Sequence, residues 1–477
     1  MTVQNATVPE QSGDVDPRRW GALAIVLLAV FMDLVDITVV MVAAPVIQDD
    51  LGAANAAVQW IIAAYALGLG LLLITGGRLG DIFGRKRLFL TGVAGFTAAS
   101  AACGLAQSIG MLIAARAVQG AAAAMMVPQV LATIQVVFPR EERPKALGMY
   151  GAVNGLAAAA APIVAGLLVG NDVFGLAWRS VFWVNVPIGV ATLVGAGALM
   201  RESRSPRPPR LDLPGVALVT VALLLVLYPL IQGSELGWPV WVWPVMGAAV
   251  PVFAVFALLQ ARRERGGGQP LVSMSLFRSR SFVAGLAVTV AMFSSITALF
   301  LVLTLQLQQG HGFSALRVGL TFLAWPVGLG VTSGLAVRMA ATAGRRLLAV
   351  GAFALTVAML LLIGAIAMAG DDLSAWHLLP GLGLGGIGFG LVAPILVDIV
   401  LSAVPTEDAG AASGVVNTVI QVAGATGVAV VGALFTTLLD DGADLDSAAA
   451  WSLGYAVAAF ALGLALIRAL PARARQS

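Results

Sequence analysis

The sequence predicts an all-α polytopic membrane protein with fourteen transmembrane helices. Hydrophobic residues fill 59% of the 477 positions and charged ones only 11%, whereas soluble domains carry about 25% charged residues. Fourteen apolar stretches are long enough to cross a bilayer as helices. The cations are confined to alternate connections. Of 27 Lys and Arg, 24 lie before span 1, after span 14 or after an even-numbered span, counting the span ends, and the others are Arg116, Arg179 and Arg317. The opposite loops hold Asp49, Asp50, Asp172, Glu235, Asp371, Asp372 and the group Asp440, Asp441, Asp444 and Asp446. By the positive-inside rule both termini are expected in the cytoplasm, with an even number of spans.

In chain order, a polar tail (1–19) precedes span 1 (20–46), which is too long for a signal-peptide core and lacks a small-residue cleavage site, so it is expected to be retained. Span 1 contains Asp33 and Asp36, one helical turn apart and near the midplane. Inserting one such carboxylate costs at least about 2.5 kcal/mol, so both should face protein or a water-filled cavity. They either serve an ion pathway or simply tie helix 1 to a neighbour. Spans 2 (58–78) and 3 (88–106) flank a basic turn, and span 4 (111–137) contains Arg116. Span 5 (144–170) contains Pro162, and span 6 (181–200) opens with Trp183-Val-Asn-Val-Pro. The Arg- and Pro-rich loop 201–210 leads to spans 7 (213–232) and 8 (240–261), which carry no intramembrane charge, and the loop 262–268 follows. Spans 9 (282–308), 10 (315–337), 11 (346–369), 12 (376–404), 13 (409–439) and 14 (450–470) complete the chain before a short basic tail (471–477). Six glycines between Gly381 and Gly390 suit close helix packing or a bend in span 12.

An internal repeat organises these spans. Arg78, Gly84 and Arg85 recur 260 residues on as Arg338, Gly344 and Arg345, and Gly151-Ala-Val-Asn154 recurs 263 residues on as Gly414-Val-Val-Asn417. Both matches map spans 2–3 and 5 onto spans 10–11 and 13. The predicted organisation is therefore a six-helix bundle (20–200), two inserted helices with flanking loops (201–268) and a second six-helix bundle (269–470). Parallel repeats of this kind build many transporters, with substrate bound between the halves.

Several motifs agree. Gly77-Arg-Leu-Gly-Asp-Ile-Phe-Gly-Arg-Lys-Arg87 places Asp81 among Arg78, Arg85, Lys86 and Arg87 on the turn between spans 2 and 3. It resembles the signature loop of the major facilitator superfamily. Arg116-Ala-Val-Gln-Gly120 is similar to that family's motif with a membrane-embedded Arg, although an Arg snorkelling to the outer interface is the alternative. Ala161-Pro-Ile-Val-Ala-Gly166 resembles the antiporter motif, with Ala161 and Ala165 where glycines are usual. Asp36-Ile-Thr-Val-Val-Met-Val-Ala-Ala-Pro45 resembles the helix-1 motif of the fourteen-helix drug:proton antiporter branch, with Met41 in place of the usual Asn. Trp183–Gly189, Pro270–Phe282 and Glu407–Asn417 also resemble this branch.

The resemblance implies the major facilitator fold and proton-coupled efflux of lipophilic or cationic drugs across the bacterial cytoplasmic membrane. It assigns proton coupling to Asp33, Asp36 and Arg116, and cytoplasmic gating to Gly77, Asp81, Gly84, Arg85 and Arg87. Pro162 and Gly166 fall in the antiporter motif. Tyr65, Gln119, Met125, Gln129, Asn154, Trp325, Asn417 and Gln421 are candidate cavity residues, although helix packing is the plainer role for each. The expected partners are protons, a small-molecule substrate and the bilayer, with a monomeric chain, no nucleic acid and no cofactor. The alternatives are an uptake porter and an exporter of one endogenous metabolite. A single cysteine excludes an internal disulfide, and with only two histidines it argues against a metal cluster or a membrane-embedded enzyme. No Gly-x-x-x-x-Gly-Lys-Ser/Thr sequence is present, which argues against an ATP-driven pump. A channel is disfavoured by the lack of recurrent acidic rings. Reporter fusions after Gly80 and Glu202 should read as cytoplasmic and those after Asp49 and Asp444 as external; a cytoplasmic signal at Asp444 contradicts fourteen spans.

Overall fold

The computed structural model describes residues 17–139, 141–170, 175–205, 211–268, 270–402, 404 and 409–470. Most of the N-terminal tail (1–16), the C-terminal tail 471–477, Asp172, Arg207, Arg210, Glu407 and the Arg338 side chain lie outside the described residues. Among the described residues, thirteen helices are long and apolar enough to cross a membrane: α1 (Arg19–Leu51), α2 (Asn55–Phe83), α4 (Ile109–Val137), α5 (Lys145–Gly170), α6 (Ala177–Leu199), α7 (Leu213–Gly233), α8 (Val242–Arg265), α9 (Arg280–Gly310), α10 (Ala315–Gly334), α11 (Ala343–Asp372), α12 (Ala375–Leu401), α13 (Ala412–Asp440) and α14 (Leu445–Leu466). Between α2 and α4 runs α3 (Arg85–Gly104), whose 20 residues reach about 30 Å at about 1.5 Å per residue. Its first turn carries Arg85, Lys86 and Arg87, which makes it the least apolar of the fourteen.

Helices α1–α6 bury Val26, Phe89, Phe96 and Val130 in one cluster and Val39, Ile61, Trp178 and Phe182 in another. Helices α9–α14 enclose Phe282, Met292, Phe322, Leu355, Leu396 and Phe460. The arginine-rich connections gather at one end of the molecule, here the basic end, and the acidic loops lie at the other.

The repeat pairs 338–345 with the loop at 78–85, and α10 (Ala315–Gly334) and α11 (Ala343–Asp372) are accordingly two spans. Like the two arms of a hairpin, both lie along α12. Gly328 abuts Gly383 and Ile387, Gly351 abuts Gly388, and Gly381 meets Ala358 and Leu362. The first arm runs parallel to α12 and the second antiparallel, so the chain reverses between them. The glycine run of α12 is what lets both arms approach, because a Cβ at Gly328 or Gly386 would overlap backbone atoms.

The two bundles meet along two seams. In the first, α2 lies against α13 over most of its length: Gln59 faces Gly432, Thr418 Oγ1 donates to Gly70 O at 2.9 Å, and Ile74 faces Gly414. In the second, α5 meets α10 through Gly166 against Ala315 and Leu316, and through Gly319 against the Pro162 carbonyl. These contacts fall in the acidic half of both helices. In the basic half, a side chain at Gly148, Gly151, Gly155, Gly330 or Gly334 would meet nothing within 4 Å. Gln308 Nε2 donates to Val42 O (2.9 Å) and Gln309 Nε2 to Gln48 Oε1 (3.3 Å), adding further ties at the acidic end.

The α7–α8 hairpin is not merely appended. Leu227 and Ile231 of α7 sit in a groove made by Ala63, Leu67 and Leu71 of α2 and Ala425 and Ala429 of α13, so α7 touches both bundles. At its far end the Glu235 carboxylate accepts from Ala56 N (2.6 Å) in the first turn of α2. At the basic end Asp212 accepts from Gly215 N (2.8 Å), Gln260 Nε2 (2.6 Å), Leu271 N (3.1 Å) and Arg263. Burial alone would raise the pKa of Asp212, but those hydrogen bonds and the Arg263 charge hold it below the usual carboxylate value.

Gly319→Val would drive methyl groups into the Pro162 carbonyl and part α5 from α10. Cys103 is buried, so a cysteine replacing Ala315 can be read alone with a membrane-impermeant maleimide. It should react several-fold faster in the Gly319→Val background; equal rates would show that this contact does not hold the seam.

Candidate functional site

Asp33 and Asp36 lie near the middle of the 33-residue α1 and are buried. Burying charge this deep demands compensation, and the first bundle supplies it. Arg116 of α4 reaches Asp36 Oδ2 through Nη1 at 2.5 Å, with side-chain exposures of 2% and 0%. The remaining lone pairs are covered as well. Asp36 Oδ1 accepts from Gln119 Nε2 (2.9 Å) and Asn185 Nδ2 (2.7 Å). Arg116 Nη1 also donates to Gln119 Oε1 (2.6 Å), and Gln119 Nε2 to Ser100 Oγ (2.8 Å). Arg116 Nε is 3.4 Å from the Ile61 carbonyl, and the guanidinium lies 4.2 Å over the Tyr65 ring. The result is a charge cluster joined by α1, α2, α3, α4 and α6.

Asp33 is held differently. Its hydrogen-bond donor is the Tyr65 hydroxyl, a neutral group. Tyr65 therefore stands between the two acids, with its hydroxyl on Asp33 and its ring face under Arg116. So the two carboxylates share one helix face but not one environment: Asp36 has a cation and two amides, whereas Asp33 has one phenol.

Arg116, read from sequence as either a functional or a snorkelling residue, does not reach an interface; it is 2% exposed and paired. Three candidate cavity residues make buried contacts within the first bundle. Gln119 is wholly buried inside the charge cluster, and Gln129 donates to Gly76 O (3.0 Å), tying α4 to α2. Tyr65 is likewise part of the cluster. Trp325 is buried between Phe300 and Phe389, with centroids at 5.3 and 6.1 Å. Met125, Asn154 and Gln421 are half-buried and Asn417 is exposed; the two asparagines bond to their own helices through Tyr150 O and Ser413 O. Asn185, Ser100 and Phe182 complete the cluster and were not singled out as site residues. Asn185 was visible as a lone amide inside an apolar span, within Trp183–Gly189. Ser100 offered no signal, because serine is common where helices pack.

At the basic end Gly84 adopts φ +109°, a conformation that favours glycine, and turns the chain from α2 into α3. Asp81 pairs with Arg85 at 2.8 Å. Arg87 instead faces Glu202 at 3.7 Å, and the Glu202 carboxylate accepts from Lys86 N (3.1 Å) and Arg87 N (3.3 Å), capping α3. Arg78 donates to Pro270 O at 2.5 Å, across to the segment that enters the second bundle. Sequence reasoning missed Glu202, since nothing local marks an acid 116 residues away as a helix cap.

Residues 26–428 match the family model of the Major Facilitator Superfamily. The chain belongs to the major facilitator superfamily. It is 44% identical over 435 residues to a Streptomyces coelicolor protein named "Probable actinorhodin transporter", covering 89% of this chain and 75% of that one. It is 37% identical over 468 residues to the puromycin resistance protein of Streptomyces alboniger, covering 95% and 91%. It is 37% identical over 442 residues to the tetracenomycin C resistance and export protein of Streptomyces glaucescens, covering 89% and 77%. Among solved structures, a D-xylose-proton symporter superposes with a TM-score of 0.66 at 13% identity, covering 95% of this chain and 97% of that one. At that identity the likeness speaks for the major facilitator fold alone.

Removing one partner of a buried ion pair costs about 3–5 kcal/mol, far more than removing both. Arg116→Gln should therefore lower the melting temperature sharply, and adding Asp36→Asn should restore part of the loss. Additive losses in this double-mutant cycle would show that the two side chains do not act as a pair.

Proposed function

We propose that the chain is a proton-coupled exporter of lipophilic or cationic small molecules in a bacterial cytoplasmic membrane, with the basic end and both termini in the cytoplasm. It works as a monomer, without cofactor or catalysis, by alternating exposure of a site between the bundles. The observation that carries this reading is the unequal charge compensation of the two buried helix-1 acids. Asp36 is compensated by Arg116 and stays paired. Asp33, bonded to one neutral phenol, can gain or lose a proton without breaking an ion pair. Asp33 is then the exchanging acid, and Tyr65 conveys its state to Arg116. The relatives' names support a drug or antibiotic substrate, and the presence of 24 of 27 cations on one set of alternate connections in the sequence supports the orientation.

Export of a single metabolite is the second reading, favoured because those three relatives are each named for one antibiotic. Growth inhibition across a panel of toxic compounds separates the two readings, since a dedicated exporter protects against one chemical class only.

The test uses proteoliposomes and a fluorescent substrate. Asp33→Asn keeps shape and hydrogen bonding but cannot titrate. It should cut pH-gradient-driven accumulation at least tenfold while retaining exchange of substrate down its own gradient. Uphill transport at the parental level by Asp33→Asn would overturn the assignment.

A further inference from the structure

An apolar cavity of about 530 Å³ opens beside the α2–α13 seam, away from the buried charge cluster. Its walls come from Leu71 and Ile74 of α2, Val415 and Val419 of α13, and the inserted helices through Val219 and Phe256. The segment between α8 and α9 closes it towards the basic end, with Leu271, Met274 and Phe277 turned into it. That segment is firmly placed. Leu271 N and Val272 N donate to Asp212 and Gln260 (both 3.1 Å), and Met274 N donates to Glu264 at 2.8 Å. A volume of this size falls within the range of ligand sites, about 300–1,000 Å³.

We propose that this cavity binds an acyl chain of an anionic phospholipid from the leaflet at the basic end. The lining is the first reason. Sites for polar or cationic compounds carry a few placed polar groups that fix orientation. Among the described lining residues the only polar side chain is Thr418, and its hydroxyl is already committed to Gly70 O at 2.9 Å. A featureless hydrocarbon is what such a surface suits. Depth is the second reason: the wall residues run from the middle of α7 and α8 towards the basic end, and those of α2 and α13 lie in the basic half, where the chains of that leaflet reside. Charge is the third. The stretch 262–280 that bounds the cavity carries exposed Arg262, Arg265, Arg278 and Arg280, a basic edge for an anionic headgroup. The site does not depend on what the protein transports. Because its walls belong to both bundles and to the insertion, a bound chain favours the arrangement in which the cavity exists.

The experiment reconstitutes the full-length protein in vesicles of phosphatidylethanolamine with phosphatidylglycerol bearing an alkyl diazirine in one acyl chain, and maps the photolabelled peptides. Val415 and Ile74 lie behind α7 and α8, so label there requires entry into the cavity. The expected result is label on α13 and on 271–277, falling several-fold when Val219→Trp fills the space. The same label placed on phosphatidylethanolamine should mark α13 at least threefold less. If Val219→Trp does not fold, unlabelled phosphatidylglycerol must displace the α13 label from the unmodified protein. Label confined to the outward faces of α7 and α8 overturns the proposal. So does α13 label that a transported compound removes while excess lipid does not, because the occupant is then the substrate.

Discussion

A charged pair near the centre of a hydrocarbon slab governs the rest of this molecule. Asp36 and Arg116 cannot be hydrated there, and their mutual attraction offsets the loss of water only when every remaining polar atom is also bonded. The structure meets that demand with Gln119, Asn185, Ser100 and the Ile61 carbonyl, drawn from four helices besides α1. Among the described residues, none of these side-chain atoms is left without a partner. The positions of α2, α3, α4 and α6 around α1 are therefore tied to one cluster. A rearrangement of the first bundle that separated any of them would leave a buried charge short of a donor.

Such a cluster makes the first bundle stiff and leaves motion to the seams between bundles, where the chemistry is different. There, glycine and alanine let backbones touch, as at Gly166 with Leu316 and Gly319 with Pro162. Contacts of this kind are close but carry few hydrogen bonds, so they separate without stranding polar groups. The α7–α8 hairpin lies over one of these seams, held at one end by Glu235 on α2 and at the other by the Asp212 cluster. It is placed to feel movement of either bundle, a position that its lack of charge did not announce.

Much was legible from sequence because the membrane enforces simple rules. Span length, the two-sided distribution of charge and the cost of an intramembrane acid each act on residues one at a time. Asp33, Asp36 and Arg116 stand out without any knowledge of their neighbours, and motif resemblance carried the family. The cavity residues fared less well. Gln119 and Gln129 are polar residues in a transmembrane helix, but polarity does not tell whether a side chain meets water, substrate or another helix.

The sequence by itself determined the helical, polytopic architecture, the distribution of charge between the two ends and the identity of the buried ions. It could do so because hydropathy and charge are local properties that a bilayer reads directly. Only the tertiary structure decided the pairings: Asp36 with Arg116 and Asn185, Asp33 with Tyr65, Glu202 with the start of α3, and α7 with the seam. Those choices depend on which faces of distant helices meet, and in hydrocarbon that is settled by close packing and hydrogen-bond completion rather than by any property of a single segment.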